Sequence, residues 1–176
     1  MELLRVIEHN INERHIDQAV DALRDGAIII YPTDSLYAFG CNALNNSAVE
    51  RLCRLKGLNS DKTNLSIICH DISQVAEYAR FDNRAFKIMK DNLPGAFTFI
   101  FPASNKLPKA FKGRKTVGIR IPDNQIALAL VEQLGNPIMT TSVKTDDIDY
   151  AINPELMAEF YEDDVAVVID GGEGNI

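Results

Sequence analysis

The chain has 176 residues, of which 46% are hydrophobic and 24% are charged, and 18 basic side chains against 25 acidic ones give a net charge of −7. These values describe a globular domain with a substantial core, and they exclude collagen-like, disordered and disulfide-dense chains. No apolar run approaches the roughly 20 residues of a membrane helix, and the N-terminus is charged where a secretion signal would be apolar. We therefore expect a cytoplasmic protein with no membrane contact.

Cysteines and histidines are scattered along the sequence. Cys41, Cys53 and Cys69 have no C-x-x-C spacing and two of them lie in apolar stretches, which is typical of buried, reduced thiols. The histidines, at positions 9, 15 and 70, are equally dispersed. The sequence therefore predicts neither a metal cage nor a Cys/His nucleophile pair.

Helix and strand patterns alternate along the chain, without repeats or linker-like tracts. An amphipathic helix over 16–25 is stopped by Gly26 and followed by an all-apolar strand over 27–31, as in a sheet covered on both faces. Turn-forming residues follow at 32–35, and this turn region closes at Gly40. A helix over 47–56 comes next. Asn45 and Asn46 are its candidate caps, and Gly57 ends it. The later elements are strand 65–69, helices 73–79 and 83–92, strands 96–101 and 116–121, helix 124–134, strand 137–142, helix 154–160 and strand 165–169. This order predicts an α/β fold over residues 1–176, a single domain with a twisted mixed sheet and flanking helices.

Charge is unevenly distributed. No acidic residue occurs between positions 92 and 122, where the basic residues are Lys106, Lys109, Lys112, Arg114, Lys115 and Arg120. Between positions 145 and 176 there are ten acidic residues and no basic one. Because exposed charges are largely screened beyond about 8 Å, this basic band can attract an anion despite the negative total. A solvated lysine-rich loop is the alternative interpretation of 106–115.

Lys56 continues the apolar stripe of its predicted helix, after Val49, Leu52 and Cys53. A lysine at a helix C-terminus is favoured by the helix dipole and can extend its ammonium group outward to solvent. The alternative is that Lys56 points into a cleft and meets an anion there.

The strand over 115–121 separates into two faces by alternation. Its apolar residues at 117, 119 and 121 face one way, and Thr116, Gly118 and Arg120 face the other. A glycine in mid-strand allows close approach, and an arginine fork suits carboxylate or phosphate groups. The polar face is therefore either a ligand surface or an ordinary solvated strand face.

Three hydroxyl residues lie at predicted strand ends. Thr140 and Ser142 share a face near the carboxyl end of one strand, and Thr33 directly follows another. Ligands bind at such ends in open α/β sheets, although Thr and Ser also commonly terminate strands. The sequence contains no Walker P-loop and no G-x-G-x-x-G fingerprint. From these residues we predict an anion-binding cleft lined by Thr33, Lys56, Arg120 and Ser142.

Five segments resemble, in order, the motifs of the YrdC/YciO family: YPTDSLYAFG (31–40), LKGL (55–58), LPGAFTF (93–99), TVGIRIP (116–122) and TTS (140–142). The resemblance implies a YrdC-like fold with a basic concave cleft. It also implies a nucleotidyltransferase that makes threonylcarbamoyl-AMP from ATP, threonine and bicarbonate with Mg2+, for the t6A modification of tRNA in translation. An association with double-stranded RNA is a further implication.

The same resemblance implies residue roles. Threonine would contact Thr33, Thr140 and, through its carboxylate, Arg120, whereas ATP or AMP would contact Lys56, Thr116, Ser142 and Lys144. Lys56 and Ser142 would be catalytic. No magnesium ligand is assigned.

Three departures from the family motifs indicate the YciO branch and a weak or altered activity. Leu58 stands where the Lys-x-Arg element has arginine, and Lys144 stands where Ser-x-Asn has asparagine. A downstream strand of the family pattern is also expected to be lacking after Ile176. We hypothesise that Lys144 partly replaces the missing charge.

Two alternative functions stay open. One is a non-catalytic module that binds double-stranded RNA, tRNA or a ribosomal surface through Lys106, Lys109, Lys112, Arg114 and Lys115. The other is chemistry on a different acyl-adenylate in the same cleft.

Overall fold

The computed structural model describes residues 1–58, 65–112, 114–143 and 152–172, and only the backbone of Lys112. The described strands are β1 (Glu2–Arg5), β2 (Ile29–Tyr31), β3 (Ala38–Asn42), β4 (Leu65–Ile68), β5 (Phe99–Pro102), β6 (Thr116–Arg120), β7 (Ile138–Ser142) and β8 (Val167–Asp170). The described helices are α1 (Glu13–Arg24), α2 (Asn46–Lys56), α3 (Ile72–Tyr78), α4 (Asn83–Asn92), α5 (Lys109–Lys112), α6 (Gln125–Leu134) and α7 (Pro154–Phe160).

The strands form one eight-stranded sheet in the order β1-β8-β2-β3-β7-β4-β6-β5. The pairs β1–β8, β8–β2 and β4–β6 are parallel. The other four pairs are antiparallel. The predicted mixed sheet of a single α/β domain is therefore confirmed. Within the described ranges, no helix has both the length and the apolar character that crossing a membrane requires.

Local sequence signals set the ends of several helices. Asn45 accepts a hydrogen bond from the Ala48 backbone N–H at the start of α2, and Gly57 ends that helix with a φ of +68°. Asn124 caps α6 by accepting from the first backbone N–H groups. Asn153 does the same for α7, where Pro154 occupies the first turn. The sequence predicts the helix ends at Asn45, Gly57 and Asn153, whereas it places Asn124 inside its helix.

Helices cover the two faces of the sheet unequally. One face, which we call the α2 face, packs against buried side chains of α2, α3, α4, α5 and α7, such as Leu52, Val75 and Phe111. The opposite face, which we call the α1/α6 face, packs against the buried stripes of α1 and α6. The α1/α6 core includes Ile29, Tyr31, Ala38, Ile68 and Ile138 of the sheet. Burial of the two apolar sets is the main force that holds these layers together.

Three described elements differ from the sequence expectation. β1, at the edge of the sheet, carries a charged sequence and forms by pairing with β8. β3 was expected to be part of a turn closing at Gly40, but this residue lies inside the strand and pairs with Ile29. A Cβ at Gly40 would lie 2.7 Å from Cε1 of Tyr31, so the glycine makes room for that ring. α5 lies within what was expected to be a lysine-rich loop.

Candidate functional site

β6 presents its two sets of side chains as the alternation predicts. Val117 and Ile119 are fully buried in the core of the α2 face. Thr116, Gly118 and Arg120 therefore point to the α1/α6 face. A Cβ at Gly118 would lie 2.4 Å from Ser66 Oγ on β4, so a larger residue at this position would require the serine to move.

The strand register brings further polar residues onto the same face. Ser66 lies opposite Gly118 on one side and opposite Thr140 of β7 on the other. Ser142, two residues beyond Thr140, lies opposite Ala38 and is exposed. We define the polar strip as Ser142, Thr140, Ser66, Thr116 and Arg120 on β7, β4 and β6. The structure thus assembles a polar surface from residues that are far apart in sequence.

Arg120 ends the polar strip and contacts the loop between β2 and β3. Its Nη2 lies 3.5 Å from Asp34 Oδ1 and 3.3 Å from Ser35 Oγ. The Arg120 and Asp34 side chains are only 16% and 11% exposed. The Arg120 Nε is buried and has no hydrogen-bond partner in the described part of the chain. This guanidinium is therefore held in a largely desolvated position with donors that the described residues do not use.

Thr33 organises the same loop. Its hydroxyl donates to the Leu36 carbonyl at 2.6 Å and accepts from the Ser35 backbone N–H at 3.0 Å. Its carbonyl accepts from Asn124 Nδ2 at 3.4 Å. Thr33 thus lies close to Arg120 through Ser35, but its hydroxyl is engaged in shaping the loop. The predicted contact of Thr33 with threonine stays a prediction.

Thr140 is almost completely buried and shares a hydrogen bond of 2.6 Å with the Tyr31 hydroxyl. Burial raises the pKa of Tyr31 to about 12, against the smaller opposing effects of the Thr140 hydrogen bond and the Arg120 charge. Tyr31 is therefore neutral at physiological pH and links β2 to the polar strip. The contact of Thr140 with threonine likewise stays a prediction.

A cleft of about 260 Å³ lies beside the Arg120–Asp34 pair. It is lined by Glu8, Pro32, Thr33, Asp34, Ser35, Tyr37, Asp123, Asn124, Gly171 and Gly172. The Asp123 backbone N–H donates to Asp34 Oδ2 at 2.7 Å, which ties the cleft wall to the segment that follows β6. The lining offers hydroxyl, amide and carboxylate groups, so the cleft suits a small polar ligand.

Lys56 lies on the other side of the sheet. Its Nζ is 5.8 Å from the ring centroid of Phe39, and Phe39 belongs to the core of the α2 face. The structure therefore gathers Thr33, Thr116, Arg120, Thr140 and Ser142 on one side of the sheet and places the partly buried Lys56 on the opposite side. Lys144, the remaining predicted ATP contact, lies outside the described residues.

The described residues do not form a magnesium site by themselves. Within the described ranges, no three His, Cys, Asp or Glu side chains group closely enough to hold a metal ion. In nucleotide sites Mg2+ commonly uses one or two carboxylates together with substrate phosphates. Both oxygens of Asp34, the carboxylate nearest the polar strip, already have protein partners.

The basic band is divided between different environments. Lys106 lies 3.8 Å from Glu77, Lys109 is exposed on α5, and the Lys112 side chain lies outside the described residues. Arg114 donates to the Ala110 and Leu58 carbonyls. Arg114 and Lys115 line a second cavity of about 250 Å³, whose lining is Arg80, Ala103, Ser104, Asn105, Leu107, Phe111, Arg114 and Lys115. We call it the basic pocket.

Sequence reasoning did not identify several residues of these sites. Asp34 and Ser35 follow Thr33 directly, but only the fold shows that they contact Arg120. Ser66 gives a detectable signal, since it is a polar residue within the otherwise apolar strand β4. Arg80 joins the basic pocket from a distant position, because Ala79 bridges to Ala103 next to the end of β5.

The three cysteines are all unpaired and buried, as the sequence predicts. Burial raises the pKa of Cys41 to about 12 and also raises the pKa values of Cys53 and Cys69. Since the thiolate is the reactive form, these side chains are core residues rather than nucleophiles.

The sequence of the chain is similar to that of known proteins over nearly its whole length. The family model Sua5/YciO/YrdC, described as telomere recombination, matches residues 21–176. The uncharacterized protein YciO of Escherichia coli is 40% identical over 166 residues, which cover 93% of this chain and 80% of YciO. The threonylcarbamoyl-AMP synthase of Bacillus subtilis is 33% identical over 172 residues, which cover 96% of this chain and 49% of the synthase.

Solved structures give the same picture. The crystal structure of E. coli YciO has a TM-score of 0.90 at 37% identity, with 99% of this chain and 85% of that one covered. Pyrococcus abyssi Sua5 complexed with L-threonine has a TM-score of 0.89 at 30% identity, with 99% and 51% covered. The chain thus spans about half the length of this Sua5 protein and of the B. subtilis synthase.

Proposed function

The chain belongs to the Sua5/YciO/YrdC family, and on that premise we propose that it forms threonylcarbamoyl-AMP from ATP, threonine and bicarbonate, in support of tRNA t6A modification. One observation carries the proposal. The polar strip ends at a largely buried arginine beside a polar cleft, and this arrangement suits a ligand with a carboxylate and hydroxyl groups. The P. abyssi Sua5 structure, which contains L-threonine, supports the choice of amino acid.

The proposed reaction has two bond-forming steps. The threonine amine attacks bicarbonate to give a carbamate, with loss of water. A carbamate oxygen then attacks the α-phosphorus of ATP, and pyrophosphate leaves. Such transfers depend on alignment and on stabilisation of charge at phosphorus, so donors outrank a general base.

The residue roles in this proposal are those that the resemblance implies, and the shared face of Arg120, Thr116 and Ser142 supports them. Arg120 pairs with the threonine carboxylate, and the exposed Ser142, together with Thr116, donates to the nucleotide. Thr33 shapes the wall of the threonine site through its bonds to Ser35 and Leu36. Lys56 acts on the triphosphate only if the phosphates extend past the ends of the strands to the α2 face. When bound with ATP, Mg2+ would neutralise phosphate charge.

Leu58 is the reason to expect weak turnover. It is partly buried against the core of the α2 face, and its carbonyl accepts from Arg114 Nη2 at 2.8 Å. An arginine implied by the resemblance is thus replaced by an apolar packing residue. Loss of one charge-assisted donor typically lowers a rate by about a hundredfold, which predicts a slow enzyme rather than an inactive one.

The test is pyrophosphate release from ATP in the presence of threonine and bicarbonate. We expect slow release that requires both co-substrates, and faster release by a Leu58→Arg, Lys144→Asn double variant. Arg120→Lys should raise the threonine KM, because lysine keeps the charge but not the planar fork. Arg84→Lys, at an exposed site on α4, is the matched control. Absence of release by both the native chain and the double variant would refute the synthase function.

A second candidate function is favoured by the basic pocket. Arg80, Arg114 and Lys115 converge there, and none of the lining residues is acidic. A non-catalytic module could hold the phosphate backbone of structured RNA, including tRNA or a ribosomal surface, at this pocket. Binding of duplex RNA should then fall steeply with salt, and an Arg80→Ala, Lys115→Ala variant should reduce the slope by about two. Steep binding without pyrophosphate release would favour this module.

The third candidate, chemistry on a different acyl-adenylate, is separated by the same assay. ATP-dependent pyrophosphate release that needs a carboxylic acid other than threonine would favour it.

A further inference from the structure

Asp34 connects two segments that meet at the end of β6. One carboxylate oxygen, Oδ1, lies 3.5 Å from Arg120 Nη2, and the other, Oδ2, accepts from the Asp123 backbone N–H at 2.7 Å. The first contact is long for a hydrogen bond, whereas the second is short and well formed. Asp34 is therefore anchored to the backbone beyond β6 and reaches back to the guanidinium.

Arg120 has donors that this contact leaves available. Its bonds to described residues both use Nη2, one to Asp34 and one to Ser35. The Nε is buried and has no partner among the residues that the structure describes, so the described contacts hold the group at Nη2 alone. A guanidinium has five N–H donors in a fixed plane, so fixing one nitrogen also fixes the directions of the others.

We propose that Asp34 is a positioning residue, which holds the Arg120 guanidinium by Nη2 in the orientation that binds a ligand carboxylate. The inference rests on the proposed function, in which that carboxylate belongs to threonine.

A carboxylate is required at this position for a chemical reason. Asp34 accepts from a backbone N–H on one oxygen and from a cation on the other, and a carboxylate has acceptors on both sides. An asparagine has the same shape but only one acceptor oxygen. Its amide NH2 would face either the Asp123 N–H or the Arg120 guanidinium, so Asp34→Asn cannot keep both contacts.

Asp123 supplies a matched control. Its side chain lines the same cleft and is exposed, so Asp123→Asn removes one negative charge near Arg120 without removing an Asp34 partner, because Asp34 binds its backbone N–H. Any effect of charge alone should be the same in the two variants. The effect of positioning is the part of the L-threonine loss that Asp34→Asn shows beyond that of Asp123→Asn.

The experiment measures dissociation constants of L-threonine, L-threonine amide and ATP by calorimetry for the native chain, Asp34→Asn and Asp123→Asn. We expect Asp34→Asn to weaken L-threonine about tenfold, the usual scale for a hydrogen bond to a charged group. L-threonine amide, which lacks the carboxylate, and ATP should change less than twofold. The Arg120 Nε–H resonance, observed by ¹H–¹⁵N NMR, should exchange slowly in the native chain and quickly in Asp34→Asn.

Several results would overturn the inference. Unchanged or tighter L-threonine binding by Asp34→Asn would do so, and so would an equal loss for L-threonine and its amide or an equal effect of Asp123→Asn. If the native chain binds no threonine, the proposed function fails. The NMR signal alone then decides whether Asp34 positions Arg120. An Arg120 Nε–H resonance that is unchanged in Asp34→Asn would refute positioning on its own.

Discussion

The α1/α6 face contains two regions of opposite character on the same sheet. Beneath α1 and α6, the strands present side chains such as Ile29, Tyr31 and Ile138, all completely buried. Beside them, the polar strip of β7, β4 and β6 presents hydroxyl groups and Arg120 at positions of the same alternation. Helix α1 packs on β2, β3 and β8, and β7 belongs to both regions, with Ile138 in the covered part and Thr140 and Ser142 in the polar strip.

Each region contains a glycine whose lack of a side chain leaves room for a close neighbour. In the covered region, Gly40 lies beneath the Tyr31 ring, and a Cβ there would come within 2.7 Å of Cε1. In the polar strip, Gly118 lies beside Ser66, and a Cβ would come within 2.4 Å of Oγ. The first glycine makes room for an aromatic ring, and the second makes room for a polar side chain. The covered region therefore contributes apolar burial, whereas the polar strip contributes the side chains that the proposed function uses.

The largest expected effect is on stability and belongs to the covered region. Leu130→Ala removes a completely buried side chain of α6 and should lower the free energy of unfolding by about 2–5 kcal/mol. The KM values of the folded chain in the proposed reaction should not change. Urea unfolding and pyrophosphate release measure the two quantities. Leu44→Ala, at a side chain that is 41% exposed, should cost only about 0.5 kcal/mol or less.

Gly118→Ala should lower the free energy of unfolding from within the polar strip. The added methyl group would collide with Ser66 Oγ, and overpacking of this kind costs about 1–3 kcal/mol. Ser66→Gly should relieve the collision, so the double variant should unfold at a higher denaturant concentration than Gly118→Ala alone. Additive effects of the two substitutions would contradict the proposed contact.

Ser142→Ala should separate binding from stability. Because Ser142 is exposed, its loss should change the free energy of unfolding by less than about 0.5 kcal/mol. ATP binding should weaken about tenfold, the scale for a hydrogen bond to a charged phosphate. The control is Thr141→Ala, since the neighbouring residue points to the opposite face. Equal ATP dissociation constants for both variants would show that Ser142 is not a nucleotide contact.

The smallest expected effect is that of Tyr31→Phe, at the boundary between the two regions. Loss of the hydroxyl bonded to Thr140 should cost about 0.5–1.5 kcal/mol at neutral pH. Because the folded pKa of Tyr31 is raised from 10.0 to about 12, its contribution is complete below pH 10 and declines as the pH rises towards 12. The difference in stability between native chain and variant should shrink over that range in pH-dependent urea titrations. A constant difference would contradict the buried, neutral tyrosine.

The sequence predicted most of the elements that build the sheet. The alternation of 116–120, the Asn45 and Asn153 caps, and Gly57 as the end of α2 are local features, and the structure bears them out. β1 could not be predicted, because its charged sequence becomes a strand only by pairing with β8. The position of Lys56 also depended on packing, since its helical stripe alone allowed an ammonium group that extends to solvent or one that points into a cleft. The structure places its Nζ near the Phe39 ring.

By itself, the sequence determined the α/β character, the buried cysteines, the two faces of β6 and the resemblance to a family. These properties arise from backbone periodicity and local hydrogen bonding, which act over a few residues. Only the tertiary structure decided that Asp34 meets Arg120, that Ser66 lies against Gly118, and that the basic pocket lies apart from the polar strip. Such contacts join residues distant in sequence, and strand register and helical cover set them through burial of the whole core.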